Sequence, residues 1–149
     1  SFGGWSDRVC RWFTTSRSPH LAAHTLGQWG EKYVARLLIR DGMKLLHRNW
    51  RVGKRELDLV LVEGNTLVVV EVKTRRGGGP DGVGLEGEEV VSEAQVERVR
   101  GATEVFMGRH GVRLKRMGVV RYRIEVVVLR IDGREVRIRR STVQASPQC

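Results

Sequence analysis

Apolar residues near the start of the chain recur at three- and four-residue intervals. They form the stripe Leu26, Gly30, Val34, Leu37 and Leu38. This spacing predicts a helix from Thr25 to Asp41, with Thr25 and Gln28 as a capping box and Gly42 as its left-handed stop. Glu31 lies about 60° around the helix from Val34, so we expect its carboxylate beside the core face.

Shorter runs of apolar residues predict five strands and a second helix. The strands are expected at Lys44–Arg51, Glu56–Val62, Thr66–Thr74, Val119–Ile131 and Arg134–Arg140. The second helix is expected from Ser92, its N-cap, to about Gly108, after a Gly-rich loop at Arg75–Gly87. The order α-β-β-β-α-β-β, with the hairpin residues Asp132–Gly133 between the last two strands, predicts an α/β domain with a mixed central sheet flanked by helices.

The chain divides into an N-terminal extension (residues 1–24), a main domain (25–140) and a C-terminal tail (141–149). The extension carries one helical stripe, formed by Trp5, Val9, Trp12 and Phe13. We interpret this stripe as a short helix that packs on the main domain, and a partner-binding motif is the alternative.

Composition indicates a globular protein. The chain has 149 residues, enough for one domain, and its 40% hydrophobic and 30% charged residues exclude a disordered or fibrous chain. No run approaches the roughly 18 apolar residues that a membrane helix needs, so we expect no membrane partner. Two distant cysteines, Cys10 and Cys149, and the lack of a secretory leader predict a reducing, cytoplasmic location.

The formal net charge of +10 is unevenly distributed along the chain. Residues 1–55 carry +8, residues 56–108 carry −6, and residues 109–149 carry +8. A chain this basic attracts polyanions, of which nucleic acid is the commonest, although an Arg-rich solvated surface is the alternative. Nucleic-acid binding alone does not explain the acidic middle.

The acidic middle contains a predicted hairpin with two acids on neighbouring strands. A two-residue turn at Gly64-Asn65 would place Asp58 opposite Glu71 and Glu56 opposite Lys73. On this register Glu56, Asp58, Val60 and Val62 share one face with Leu67, Val69, Glu71 and Lys73. The other face, Leu57, Leu59 and Leu61 against Val68, Val70 and Val72, is expected to be core.

Directly opposed carboxylates repel each other and are costly among apolar residues. A divalent cation between them would relieve the conflict, and Mg²⁺ is typically held by one or two carboxylates with waters and phosphate oxygens. We therefore predict Mg²⁺ or Mn²⁺ at Asp58 and Glu71, with Lys73 placed to orient water or stabilise a phosphate. A structural ion network of these three residues is the alternative.

The same residues resemble the YraN-like family of bacterial proteins. The resemblance rests on Gly27-x-x-Gly30-Glu31, Asn49-Trp50-Arg51, Glu56-Leu57-Asp58-Leu59 and Val70-Glu71-Val72-Lys73-Thr74-Arg75, over about Gly27 to Val128. That family belongs to the PD-(D/E)XK, restriction-endonuclease-like superfamily, similar to Holliday-junction resolvases. The resemblance implies an endonuclease-like core in which Asp58, Glu71 and Glu31 bind metal and act with Lys73 in phosphodiester hydrolysis.

Three residues depart from the family's pattern. Arg55 stands where Gly is usual, Gln95 where Lys is usual, and Glu125 where Asp is usual. None of them is Asp58, Glu71 or Lys73, so the departures bear on substrate handling rather than on metal binding.

Basic residues supply candidate nucleic-acid contacts. Arg75 and Arg76 follow Lys73, and a denser run comprises Arg109, Arg113, Lys115, Arg116, Arg121 and Arg123. The aromatic residues Trp29, Tyr33 and Trp50 are placed to stack on bases, although core packing is the commoner role at such positions. No base-reading motif occurs, so backbone or shape recognition is expected.

Three functions follow from these residues. The first is a metal-dependent nuclease that acts on structured DNA in repair or recombination, as a monomer or homodimer. The second is a non-catalytic nucleic-acid-binding module with the same fold. The third is a protein-interaction scaffold that uses the Trp5–Phe13 stripe.

Overall fold

A computed structural model describes residues 23–77, 91–133 and 135–146. The predicted Trp5–Phe13 helix, both cysteines and most of the Gly-rich loop lie outside these residues. The elements are α1 (Ala23–Arg40), β1 (Lys44–Val52), β2 (Arg55–Glu63), β3 (Thr66–Arg76), α2 (Glu93–Arg109), α3 (Gly111–Arg116), β4 (Arg121–Asp132) and β5 (Glu135–Ala145).

The strands form one mixed five-stranded sheet in the order β1-β2-β3-β4-β5. β3 and β4 are parallel, and the other neighbours are antiparallel. This confirms the predicted α/β class and element order, with the six-residue α3 as an addition. β5 continues to Ala145, which pairs with Arg123, so the strand extends five residues beyond its predicted end and into the predicted tail.

Helices cover both faces of the β2–β3 hairpin. On one face α1 packs against the core residues Leu59, Leu61, Val68 and Val70. On the other face α2 packs against Val60, Val62, Leu67 and Val69, which are also buried. The predicted core face is confirmed at these α1-facing residues, whereas Leu57 packs in the cluster on the other face. The second face is core as well, because apolar residues at almost every position of these strands fit burial on both sides.

The boundaries of α1 are partly as predicted. The helix begins at Ala23, so Thr25 lies inside its first turn and the predicted capping box is wrong. Its end is confirmed: Gly42 has φ 98°, its N–H donates to the Ile39 carbonyl, and the N–H of Met43 donates to the Leu38 carbonyl, both at 3.0 Å. For α2, the Ser92 side chain accepts from the Gln95 N–H, which confirms the predicted N-cap.

Gly30 allows α1 to approach β3 closely. A Cβ atom at this position would lie 1.8 Å from Thr74 Oγ1 and 3.3 Å from Leu129 Cδ1. Only glycine fits this contact without displacing the helix. The contact therefore holds the next residue, Glu31, beside the end of the hairpin. No described helix has the length and apolar character needed to cross a membrane.

Candidate active site

The β2–β3 ladder ends where the two acids begin. Its pairs run from Glu63–Thr66 to Leu59–Val70, which confirms the register set by the two-residue turn. The predicted extension to Glu56 opposite Lys73 is wrong. β2 continues beside β1, with Glu56 opposite Arg51, while β3 continues beside β4 as far as Arg76. The two strands thus part at Asp58 and Glu71.

Each acid at this point approaches the backbone of the other strand. Asp58 Oδ2 accepts from the Val72 N–H at 2.9 Å, and Glu71 Oε1 lies 3.5 Å from the Asp58 nitrogen. The carboxylates contact backbone groups that the ladder no longer pairs. The two acids therefore lie side by side, as predicted, but through contacts between side chain and backbone rather than as ladder partners.

Both carboxyl groups are half-buried and resist ionisation. Burial, followed by the charge of Asp58, raises the pKa of Glu71 to about 8. Burial raises the pKa of Asp58 to about 6, with further contributions from Glu31 and Glu56, while the Val72 N–H acts in the opposite direction. At neutral pH Glu71 therefore keeps a proton, because the protein alone does not stabilise two ionised carboxylates here.

Glu31 is connected to the hairpin through Asn49, a residue that sequence reasoning did not single out as functional. With its amide nitrogen turned towards them, Asn49 donates to Glu31 Oε2 at 3.1 Å and to Glu56 Oε1 at 3.3 Å. Asn49 has φ 50°, a left-handed conformation that asparagine tolerates better than most residues. The only sequence signal for a role of Asn49 is its place in Asn49-Trp50-Arg51, one of the motifs that carry the family resemblance.

The donor atoms present fit a hard divalent cation. Asp58 and Glu71 offer carboxylate oxygens, the ligand type that Mg²⁺ and Mn²⁺ prefer. The described residues contain no group of three or more His, Cys, Asp or Glu side chains arranged as a metal site. Glu31, which acts electrostatically on Asp58, stays a predicted third ligand, and two carboxylates satisfy the usual protein share of Mg²⁺ ligation.

Lys73 is half-buried two residues beyond Glu71 and interacts with it electrostatically. Its positive charge opposes the rise in the pKa of Glu71 without cancelling it. Asp58, Glu71 and Lys73 therefore form one electrostatic cluster, and Glu31 and Glu56 influence Asp58 from its edge.

The predicted nucleic-acid residues fall into two separate groups. Arg75 and Arg76 are exposed and belong to the last residues of β3 rather than to a loop. Arg121 instead pairs with Thr66, seven residues along β3 from Lys73, or about 23 Å. Arg113, Lys115 and Arg116 lie on α3, just before Arg121 in the chain.

Other members of the predicted basic and aromatic sets have packing roles. Arg123 forms ion pairs with Glu63 and Glu125, both within 2.9 Å. Trp50 packs edge-on against Phe106 at 5.1 Å, and Trp29 stacks on Tyr33 at 5.0 Å. Trp29, Tyr33 and Trp50 are each partly buried against one of the two cores, which favours core packing over base stacking.

The structure shows what surrounds each of the three residues that depart from the family pattern. The Arg55 guanidinium lies against Gly101 of α2, with its Nη1 atom 2.5 Å from where a Cβ would stand. Gln95 occupies the first turn of α2, where its backbone N–H is capped by Ser92. Glu125 is 2% exposed and receives hydrogen bonds from Arg123 and Arg140. Sequence reasoning did not foresee this buried triad.

Comparison with known proteins identifies similar chains. A family model described as "Uncharacterised protein family UPF0102", which is the YraN family, matches residues 30–129. A UPF0102 protein of Streptomyces griseus is 37% identical over 105 residues, covering 66% of this chain and 85% of the relative. One from Nocardioides sp. is 39% identical over 117 residues (73% and 89%), and one from Phocaeicola vulgatus is 36% identical over 98 residues (63% and 75%). The matched range includes the candidate site residues Glu31, Asp58, Glu71 and Lys73.

Proposed function

The chain belongs to the UPF0102 (YraN) family, and from this premise we propose that it is a metal-dependent nuclease that hydrolyses phosphodiester bonds in structured DNA. The observation that carries the proposal is the pair Asp58 and Glu71, held together where β2 and β3 part. Two half-buried acids with raised pKa values beside a lysine are typical of a site that works on charged substrates.

The residues of the cluster have distinct tasks in this proposal. Asp58 and Glu71 would hold Mg²⁺ or Mn²⁺, and the Val72 N–H fixes the orientation of the Asp58 carboxylate. When bound, the ion supplies Lewis-acid polarisation of the phosphoryl group and a lower pKa for coordinated water. Lys73 places positive charge beside the phosphate as negative charge develops. Glu31, held by Asn49, would assist the metal ion or its waters from the edge of the site.

Charge and distance support a long nucleic-acid substrate. Arg75 and Arg76 flank the cluster, whereas Arg121 lies about 23 Å away along the sheet and follows the basic residues of α3 in the chain. This distance corresponds to about seven base pairs of duplex DNA, at about 3.4 Å per base pair. Both groups would contact the backbone of an extended substrate, and the arms of a branched or flapped substrate supply backbone on both sides of the site.

A cleavage assay on four-way, flapped and linear DNA with Mg²⁺ or Mn²⁺ tests the proposal. We expect cleavage of a structured substrate by the wild type. Asp58→Ala and Glu71→Ala should each reduce the rate at least about a hundredfold, because the metal loses a ligand, while binding in EDTA persists. Glu104→Gln, which removes an exposed carboxylate from α2, is the matched control and should cleave like the wild type.

Two results of this assay contradict the proposal. If no substrate is cut with either metal, although DNA is bound, the alternative of a non-catalytic binding module is favoured. The observation that favours a non-catalytic binding module is the absence of a three-acid metal group among the described residues. Equal cleavage by wild type and Asp58→Ala would instead assign the activity to other residues.

A further inference from the structure

We propose that a row of basic residues across β3, β4 and β5 holds the phosphodiester backbone of a DNA duplex next to Asp58 and Glu71. This basic row comprises Lys73, Arg75, Arg130, Arg137 and Arg139. This inference rests on the proposed function. It names the surface along which the backbone of the DNA substrate would lie as it approaches the candidate active site.

Strand register brings the five residues together. Between β3 and β4, Lys73 pairs with Val128 and Arg75 pairs with Arg130. Between β4 and β5, Val128 pairs with Arg139 and Arg130 pairs with Arg137. Directly paired residues of neighbouring strands point to the same side of a sheet, and residues two apart in a strand share that side. All five members of the basic row therefore lie on one face.

This face is the one opposite α1. Val127, Leu129 and Ile131 alternate with Val128 and Arg130 along β4, and all three pack in the core beneath α1. Glu71 precedes Lys73 by two residues in β3 and so lies on the same face as the basic row. The row thus begins beside one of the two candidate metal ligands and ends at β5, an edge strand of the sheet.

The dimensions of the basic row suit a phosphate backbone. Neighbouring strands lie about 4.8 Å apart and alternate residues about 6.6 Å apart, so the row covers a patch of roughly 10 by 7 Å. Arg75, Arg130 and Arg137 stand directly side by side on three neighbouring strands. Arginine's planar fork is well matched to phosphate oxygens.

The exposure of these arginines agrees with a binding role. Arg75 is exposed, and Arg130, Arg137 and Arg139 each keep part of their surface accessible. The family match ends at residue 129, before all three of these β4 and β5 arginines. The basic row also differs from the run that includes Arg121, which lies at the other end of the sheet.

The double variant Arg137→Gln/Arg139→Gln tests the basic row by duplex binding. The probe is a fluorescein-labelled, linear 20-base-pair DNA duplex in EDTA, titrated at several NaCl concentrations. Each lost phosphate contact lowers the salt slope by about 0.9, so we expect a slope smaller by about 2 and affinity at 100 mM NaCl lower by at least about tenfold. The matched control, Arg36→Gln/Arg48→Gln, removes equal charge from exposed positions on α1 and β1 and should change the slope by less than about 0.5.

A second set of variants guards against a folding defect. Arg137→Lys/Arg139→Lys keeps both charges and should keep the wild-type salt slope to within about 0.5, while the exposed single variant Arg75→Gln should lower it by about 1. If the Gln double variant binds like the control double variant, or if Arg75→Gln leaves the slope unchanged, the inference is overturned. Tighter binding to an RNA duplex of the same sequence would overturn the assignment to DNA.

The failure of this inference and that of the proposed function are distinguishable, because duplex binding is measured without metal. If cleavage requires metal and Asp58 but duplex binding does not depend on Arg137 and Arg139, the basic-row inference is wrong and the nuclease proposal is supported. If duplex binding depends on these arginines but no substrate is cleaved, the basic-row inference is supported and the nuclease proposal is wrong.

Discussion

The metal-free Glu71→Gln protein is expected to be more stable than the wild type at pH 8, by on the order of 3 kcal/mol. Burial and the neighbouring Asp58 charge raise the pKa of Glu71 to about 8, so ionisation of this carboxyl group opposes folding. Glutamine keeps a side-chain oxygen that can face the Asp58 N–H but carries no charge. Urea unfolding at pH 5 and pH 8 in EDTA measures the difference.

The direction of the pH dependence follows from the same shift. Between about pH 4.5 and pH 8 the folded protein retains a proton on Glu71 that the unfolded chain releases, so wild-type stability falls as pH rises through this window. Asp58 acts in the same direction up to about pH 6. His110, whose pKa is lowered by burial, acts in the opposite direction, but it does so in the wild type and in Glu71→Gln alike.

Asp41→Asn serves as the control for this prediction. It removes one negative charge from an exposed position after α1, so its stability should follow the wild type across the pH range. If Glu71→Gln shows the same pH profile as the wild type, Glu71 is not held in the strained environment on which the metal site depends.

Loss of the Glu125 charge is expected to destabilise the protein by about 3–5 kcal/mol, the usual cost of breaking a buried ion pair. Glu125 is 2% exposed, and it accepts hydrogen bonds from Arg123 at 2.8 Å and from Arg140 at 2.9 Å. The variant Glu125→Gln leaves the buried parts of two guanidinium groups without a counter-charge. Thermal and urea unfolding at pH 7 measure this effect.

Two further variants separate burial from charge in this triad. Glu104→Gln breaks an exposed ion pair on α2, with Arg100, and should unfold like the wild type. Glu125→Asp keeps the charge on a side chain one methylene shorter, and its stability should fall between those of the wild type and Glu125→Gln. A Glu125→Gln protein as stable as the wild type would contradict a supporting role for the triad.

Local patterns predicted the elements and one critical register. Gly64-Asn65 closes a two-residue turn, and this alone fixed the pairing as far as Leu59–Val70. The acids that follow are adjacent, as predicted. The family resemblance, carried by short motifs around these residues, is confirmed by the match over residues 30–129.

Long-range packing decided what the sequence could not predict. The ladder stops at Leu59 because, beyond this point, β2 follows β1 and β3 follows β4, so the two strands diverge. The position of Arg121 follows from the parallel β3–β4 register, which no turn specifies. Likewise, the left-handed Asn49 and the buried Glu125 triad depend on neighbours contributed by other elements.

Calorimetric titration of Mn²⁺ into the wild type and Asp58→Asn at pH 7 tests the candidate metal site most directly. Repeating the titration in buffers of different ionisation enthalpy measures how many protons are released. With pKa values of about 6 for Asp58 and about 8 for Glu71, ion binding should release about one proton from the wild type. The Asp58→Asn protein should bind at least about tenfold more weakly. Equal binding by both proteins, or no binding by the wild type even with a four-way DNA junction present, would contradict a cation site at Asp58 and Glu71.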